Sequence, residues 1–325
     1  MSGPLLEAVG VTRTFAGRSG LFGRKRRVQA LRGVSLRLEA GDSLGLVGES
    51  GSGKTTLARL LLDLDRPDSG AIRIDGQAYD SGGPAARRRA RSKVQLVFQD
   101  PAGSFNPRRT IDESLLAPLA ALTPLTAEQR RQRVDELLDG VELPRHLARR
   151  FPHELSGGQA QRAAIARALG PRPDLVVLDE ALSSLDVCIQ ARILRLLAGL
   201  KQRLGIGYLL IAHDLAVVEV LCEQIAVLYL GRIVESGPTA RVLRAPAHPY
   251  TRALIDAVPR LGGEPPAPLA GELPDPARPP PGCAFASRCP RRQQRCTRED
   301  PRLSEIGAER AHACFFPHIA GSERQ

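Results

Sequence analysis

Eight residues, Gly48-Glu49-Ser50-Gly51-Ser52-Gly53-Lys54-Thr55, constrain this chain more than any other stretch. They fit G-x-x-x-x-G-K-[ST], in which glycines let the backbone curl until its N–H groups converge on phosphate oxygens. Lys54 reaches toward the β- and γ-phosphates, and Thr55 offers a hydroxyl to Mg²⁺. The flanks agree. Leu44–Val47 reads as a short buried strand, and helical periodicity starts at Lys54 and runs to Leu64, so the positive end of a helix faces the same anion. A chance Gly-rich turn is the competing reading, but the chain has only four lysines, Lys25, Lys54, Lys93 and Lys201, and one falls at the required place.

A second apolar strand, Leu175–Leu178, ends in Asp179 and Glu180. Asp179 at the strand tip suits Mg²⁺, held directly or through water, and Glu180 suits the proton of an attacking water. Two acids entering a helix are also an ordinary N-terminal charge preference; the company of Lys54 favours the catalytic reading. No lysine follows an asparagine in N-K-x-D, which points to ATP rather than GTP. Further strands are expected at Ala71–Asp75, Val94–Phe98, Tyr208–Ala212 and Ile225–Leu230, with a helix at Val187–Leu204. Strands alternating with helices imply an α/β fold with a mostly parallel sheet covered on both faces. Residues Leu5–Leu38 read as short β segments around a basic loop. From about Gln99 to Gly170 the period is helical, broken into pieces by Pro101, Pro107, Pro118, Pro124, Pro144 and Pro152, and reads as a separate helical subdomain. With no Trp and few aromatics, the core must rest on Leu, Val, Ile and Ala; Cys188 and Cys222 are expected in it.

Leu155-Ser156-Gly157-Gly158-Gln159 precedes a helical stretch, Ala160–Leu169. Alone it is a common helix entry with anion-binding capacity. Here it resembles the signature sequence of ABC ATPases, and the family's other marks follow the right order. Gln99 resembles the Q-loop, Ser184-Leu185-Asp186 the D-loop, and His213 the switch histidine. Phe15 is the choice for the ring that stacks on adenine, with Phe22 competing. The resemblance spans about residues 5–260 and implies a P-loop ATPase core with an antiparallel β subdomain and a helical signature subdomain. It also implies a composite site. Gly48–Thr56, Gln99, Asp179, Glu180 and His213 would serve one nucleotide and Ser156, Gly158 and Gln159 that of a second cassette, with Gly157 and Asp186 also among the nucleotide-binding residues. Lys54, Glu180 and His213 are the expected catalytic groups, and Thr55, Gln99 and Asp179 the expected Mg²⁺ ligands. One departure stands out: Ala181 follows the glutamate where many members have proline.

Within that family the chain resembles the ATPases of oligopeptide, dipeptide and nickel importers. It carries Asp186-Val187-Cys188-Ile189-Gln190-Ala191, then His248-Pro249-Tyr250-Thr251-Arg252-Ala253-Leu254, then Gly271-Glu272-Leu273-Pro274. Pro280-Pro281-Gly282-Cys283 and Arg288-Cys289-Pro290 follow. The resemblance implies a second, different ATPase as mate, two membrane permeases and an external solute-binding protein, with a permease helix docking near Phe98–Arg109. The solute is set by the permease and binding protein; peptide is the commonest in the group, with nickel, glutathione-like and sugar solutes as alternatives.

Residues 1–260 are therefore expected to form the nucleotide-binding domain, and 261–325 a Pro-rich strap and a Cys-rich extension. Gly262–Gly282 should be extended and poor in regular structure. Cys283, Cys289, Cys296 and Cys314 are crowded into a segment with little apolar mass, where a metal centre is a plausible organiser. Their spacing is wider than the paired cysteines of structural zinc sites. The family resemblance implies a [4Fe–4S] cluster held by four thiolates; zinc and free thiols remain alternatives, with His312 and His318 as bystanders.

The net charge is +11, nearly all from arginine, with clusters at Arg24–Arg27, Arg87–Arg91 and Arg288–Arg298. No aromatics interleave with these clusters as a stacking surface would need, so a solvated surface is favoured over nucleic-acid binding. Met1–Gly10 lacks a signal pattern, and no stretch approaches the roughly 18 uncharged apolar residues of a spanning helix. The resemblance to importer ATPases implies a peripheral subunit at the cytoplasmic face of the cell membrane, with the spans supplied by other chains.

Overall fold

The computed structural model describes residues 3–18, 25–79, 83–183, 185–258, 271–307 and 309–318. Phe22, Ser184 and the first part of the Pro-rich strap, residues 262–270, lie outside them. The chain opens with β1 (Leu6–Arg18), β2 (Lys25–Leu38), β3 (Ser43–Val47) and α1 (Lys54–Leu61). Next come β4 (Ser69–Ile74), β5 (Gln77–Ala78), α2 (Gly83–Lys93) and β6 (Val94–Val97). The helical stretch holds α3 (Ile111–Leu122), α4 (Ala127–Gly140) and α5 (Gly157–Leu169). It is followed by β7 (Leu175–Asp179), α6 (Val187–Leu204), β8 (Gly207–Ala212), α7 (Leu215–Leu221), β9 (Gln224–Tyr229) and β10 (Arg232–Pro238). The chain closes with α8 (Thr239–Arg244), α9 (Pro249–Asp256), α10 (Gln294–Arg298), β11 (Ser304–Glu305) and β12 (Ala311–His312).

These elements fall into two compact units that interleave along the chain. One holds residues 1–6, 37–43 and 73–211; the other holds 7–36, 44–72 and 212–325. In the first, β6, β7 and β8 are parallel, with Val94 opposite Leu175 and Leu175 opposite Gly207. Leu175–Leu178 are buried throughout, as a central parallel strand requires. The β4–β5 hairpin turns on Asp75-Gly76, both at positive φ (49° and 73°), the conformation that a two-residue type I′ turn needs.

Helices α3, α4 and α5 pack on one another in this unit. Each begins with a capping box: Thr110 with Glu113, Thr126 with Gln129, Ser156 with Gln159. Pro118 was expected to break the helical run, yet it sits inside α3. The missing N–H costs one hydrogen bond, and the full burial of Ile111, Leu115 and Leu119 outweighs it. Cys188 also departs from expectation: it is exposed, whereas Cys222 is buried. The buried stripe of α6 is Ile193, Leu196, Leu197 and Leu200. Cys188, five residues before Ile193, projects off that stripe.

In the second unit β3 pairs in parallel with β9, Leu44 opposite Gln224 and Val47 opposite Val227. The sheet then turns antiparallel. β10 pairs with β9, β12 with β10 through Glu235–His312 and Ser236–Ala311, and β11 with β12. The C-terminal extension thus supplies edge strands to the sheet that carries the phosphate loop. Tyr229, Tyr250 and Phe285 cluster there, ring centroids 4.4–5.4 Å apart, all nearly inaccessible. Among the described residues no helix is long and apolar enough to cross a membrane.

Candidate nucleotide site

The phosphate loop leaves β3 at Val47 and enters α1 at Lys54. Gly48 (φ 153°) and Gly53 (φ 110°) are required as glycine on two counts. Their backbone favours no L side chain, and a Cβ would collide with the Leu228 carbonyl oxygen at the first and the Ala30 carbonyl oxygen at the second. The loop is pinned from outside by the Gly231 N–H, which donates to the Ser52 carbonyl at 2.8 Å. The Ser52 side chain is fully buried and its Oγ has no hydrogen-bond partner. Helix α1 has no side-chain cap. An unpaired buried hydroxyl and an uncapped helix start are both costly without a ligand; together they fit an anion. Lys54 is 5% exposed, and its Nζ donates to the carbonyls of Gly48 (2.7 Å) and Glu49 (3.0 Å). Ser50, Gly51 and Thr55 are exposed and Thr56 is half-buried. In the same unit His213 is exposed at the end of β8, and Phe15 is 39% exposed with the Arg13 guanidinium 5.0 Å from its ring centre.

The first unit carries the acids. Asp179 closes β7, opposite Ile211. Glu180 follows at φ +46°, a left-handed conformation uncommon for a non-glycine residue. Its N–H donates to the Ile211 carbonyl at 2.9 Å, and Ser183 donates to its carbonyl through N–H (3.1 Å) and Oγ (2.8 Å). Held by these bonds, its carboxylate accepts a hydrogen bond from Gln99 Nε2 at 2.8 Å. The structure therefore brings together two sequence-predicted site residues 81 positions apart. Ser156, Gly157, Gly158 and Gln159 form the start of α5. Ser156 Oγ accepts from the Gln159 N–H (3.3 Å) and Gln159 Oε1 from the Ser156 N–H (2.9 Å). Ser156 and Gly157 are exposed, while Gly158 is buried where a Cβ would stand 2.9 Å from Ile189 Cγ2. Asp186 caps α6 by accepting from the Ile189 N–H at 2.9 Å.

The four tail cysteines line one narrow cavity with His248 and Phe285. Burial, reinforced by the neighbouring sulfurs, pushes the Cys283 and Cys314 thiols up to about 11, and burial raises Cys289 as well. As they stand, no three His, Cys, Asp or Glu side chains among the described residues are gathered to hold a metal ion. Tyr250 and Arg288 stand in segments that mark the importer branch, yet nothing in the sequence assigned either to the phosphate loop. Both contact Glu49 of the phosphate loop from far along the chain. Their sequence signals are those two segments, together with a carboxylate, Glu49, inside a loop that suits anions.

A phosphate loop on a parallel strand, a strand-end Asp-Glu pair whose glutamate accepts from a glutamine, and a capped Ser-Gly-Gly-Gln helix start define an ATP-binding cassette. The ABC transporter family model matches residues 31–183, and the model for the oligopeptide/dipeptide transporter C-terminal region matches residues 234–296. The dipeptide transport ATP-binding protein DppF of Escherichia coli K12 is 44% identical over 96% of this chain and 94% of its own length. A putative peptide import ATP-binding protein of Brucella abortus is 48% identical over 89% and 87%. Among solved structures, the dimeric post-hydrolysis cassette MJ0796 bound to ADP and Pi superposes with TM-score 0.64 at 30% identity, covering 72% of this chain and 98% of that one. This chain belongs to the ABC transporter ATPases, in the branch that carries the oligopeptide/dipeptide C-terminal region.

Proposed function

We propose that this chain is the ATP-hydrolysing subunit of an importer of di- or oligopeptides. The observation that carries the reading is that the likeness to peptide-transport ATP-binding proteins runs through both the cassette and the tail, 315 residues in all. Residues 1–260 are read as the nucleotide-binding domain, with a helical subdomain at about 99–170, and 261–325 as the extension.

In this reading the backbone of Gly48–Thr56 and the Lys54 amine bind the phosphates, and Phe15 stacks on the base. Thr55, Gln99 and Asp179 would hold Mg²⁺, which neutralises charge developing on the β- and γ-oxygens. Glu180 accepts the proton of the attacking water as its oxygen bonds to the γ-phosphorus and the bond to ADP breaks, giving ADP and phosphate. His213 donates to a γ-phosphate oxygen. Ser156, Gly157, Gly158, Gln159 and Asp186 complete the site of a second ATPase subunit, so ATP favours the closed pair and its hydrolysis releases it. The mate is a different ATPase of the same family, and the complex includes two permeases and a solute-binding protein at the cytoplasmic face of the cell membrane. No nucleic acid takes part.

The tail cysteines are read as the donor set of a [4Fe–4S] cluster: four sulfurs line one cavity, and those of Cys283, Cys289 and Cys314 bond to the backbone at Phe285, Arg291 and Phe316, though a cluster would have to draw the four closer together. Such a cluster would supply four iron–thiolate bonds that tie the extension together. Anaerobic purification should yield protein-bound iron and sulfide that are lost in the quadruple Cys→Ser variant; iron retained in that variant would remove these ligands.

Reconstitution tests the transport reading. With its mate, two permeases and a binding protein in vesicles, the chain should drive ATP-dependent uptake of labelled dipeptides, and uptake should stop in Lys54→Ala. Uptake of a metal ion or sugar instead would replace the peptide assignment.

A further inference from the structure

Every polar group of Glu49, the second residue of the phosphate loop, is engaged. Its backbone N–H donates to Tyr250 Oη at 2.8 Å. Its carbonyl accepts from Lys54 Nζ at 3.0 Å. Its carboxylate accepts a fork from one guanidinium, Arg288 Nη1 to Oε2 at 2.9 Å and Nη2 to Oε1 at 3.0 Å. Arg288 is 239 residues away in sequence and one residue before Cys289. Its side chain is only 4% exposed and that of Glu49 25%. Bidentate pairs of this kind fix orientation as well as charge. Leu273, also in the extension, lies within contact distance of a Cβ at Gly51, 3.9 Å.

An arginine–carboxylate pair can be mere glue for a tail, and most exposed pairs contribute little. This pair differs in two respects. It is largely buried, so removing one partner strands the other charge. It also acts on the same peptide unit whose carbonyl seats the Lys54 amine, and that amine is the group proposed to meet the phosphates. Freedom at Glu49 is therefore freedom in the loop's phosphate-binding conformation, and a loop that is competent only part of the time binds with proportionally lower affinity.

We propose that Arg288 is a positioning residue of the nucleotide site: through its fork on Glu49, the C-terminal extension holds the phosphate loop in its binding conformation and so sets the affinity for ATP. The inference rests on the reading that Gly48–Thr55 binds ATP.

Equilibrium binding of a fluorescent ATP analogue to the full-length protein tests it. Arg288→Met should weaken binding about tenfold, the loss expected if the loop is competent about a tenth of the time. Arg288→Lys, a point charge in place of a fork, should fall between. Glu49→Gln should resemble Arg288→Met, and the double variant should be no weaker than either, as for two halves of one interaction. Arg295→Met disturbs only the exposed pair with Glu299 and the Phe315 ring, and should bind like the parent. In reconstituted turnover, KM for ATP should rise in Arg288→Met while kcat stays within about twofold, the pattern of lost ground-state binding. Unchanged affinity in Arg288→Met, additive losses in the double variant, or an equal loss in Arg295→Met would each overturn the proposal. If Arg288→Met does not fold, the Lys and Gln variants carry the same comparison. Failure of the parent itself to bind the analogue would instead sink the ATP reading.

Discussion

His248 caps α9, accepting from the Tyr250 N–H at 3.1 Å through Nδ1, and is 1% exposed. Burial, with His312 nearby, depresses its pKa to about 3. The unfolded chain takes up that proton near 6.5, so its neutral form supports folding fully above pH 6.5 and loses that support as pH falls toward 3. His312, also lowered chiefly by burial, adds in the same direction. The melting temperature should therefore drop between pH 6.5 and 5. His248→Asn, which keeps a cap but cannot titrate, should flatten the drop, and an unchanged slope would dismiss the residue as its source. At this scale spacing and flanks pointed to Lys54 and Glu180, the family resemblance pointed to Gln99, and the structure sets Gln99 against Glu180. The sequence showed Arg288 and Tyr250 only as marks of the importer branch. A guanidinium in a basic run and a tyrosine in a helical one look like many others until the chain folds them onto Glu49.

Among the elements, α5 shows how one local device can hold two roles. Ser156 is an N-cap whose loss costs about 1 kcal/mol, and it is exposed at a helix start that can take an anion. Ser156→Ala should lower stability by that amount, leave ATP binding to the isolated subunit intact and abolish turnover in the paired ATPase. Calorimetry and coupled ATPase assays read the three effects, and full turnover would reduce the motif to a cap. Long periodic elements were legible: α6 spans the expected Val187–Leu204, and the strand ending in Asp179 runs as its apolar residues predict. Pro118 misled because its local rule yields to burial. The edge strands β11 and β12 could not be read, since two residues have no period. The Pro-rich strap was expected to lack regular structure and does so over its described residues 271–282, while the cysteine-bearing extension beyond it builds sheet.

For the whole molecule, the +11 charge says little about role, whereas the half-site logic says a great deal. If each chain owns one set of phosphate and acid groups and lends its Ser156–Gln159 segment, ATP must act as a clamp between two chains. Glu180→Gln keeps the backbone and the size of the side chain but removes the base, and should cut turnover by about 10²–10³-fold. With its mate and ATP it should run as a stable pair by light scattering, falling apart when ADP replaces ATP. A variant that hydrolyses ATP as an isolated monomer would refute the arrangement.

The aromatic cluster beside the phosphate loop has a practical consequence. The chain has no tryptophan and four tyrosines, and two of them, Tyr229 and Tyr250, stand within hydrogen-bonding reach of Arg288 and of Glu49 respectively. Half of the intrinsic ultraviolet fluorophores thus stand at the joint between loop and extension. Without any label, the molecule carries its own lamp where nucleotide arrival would be felt.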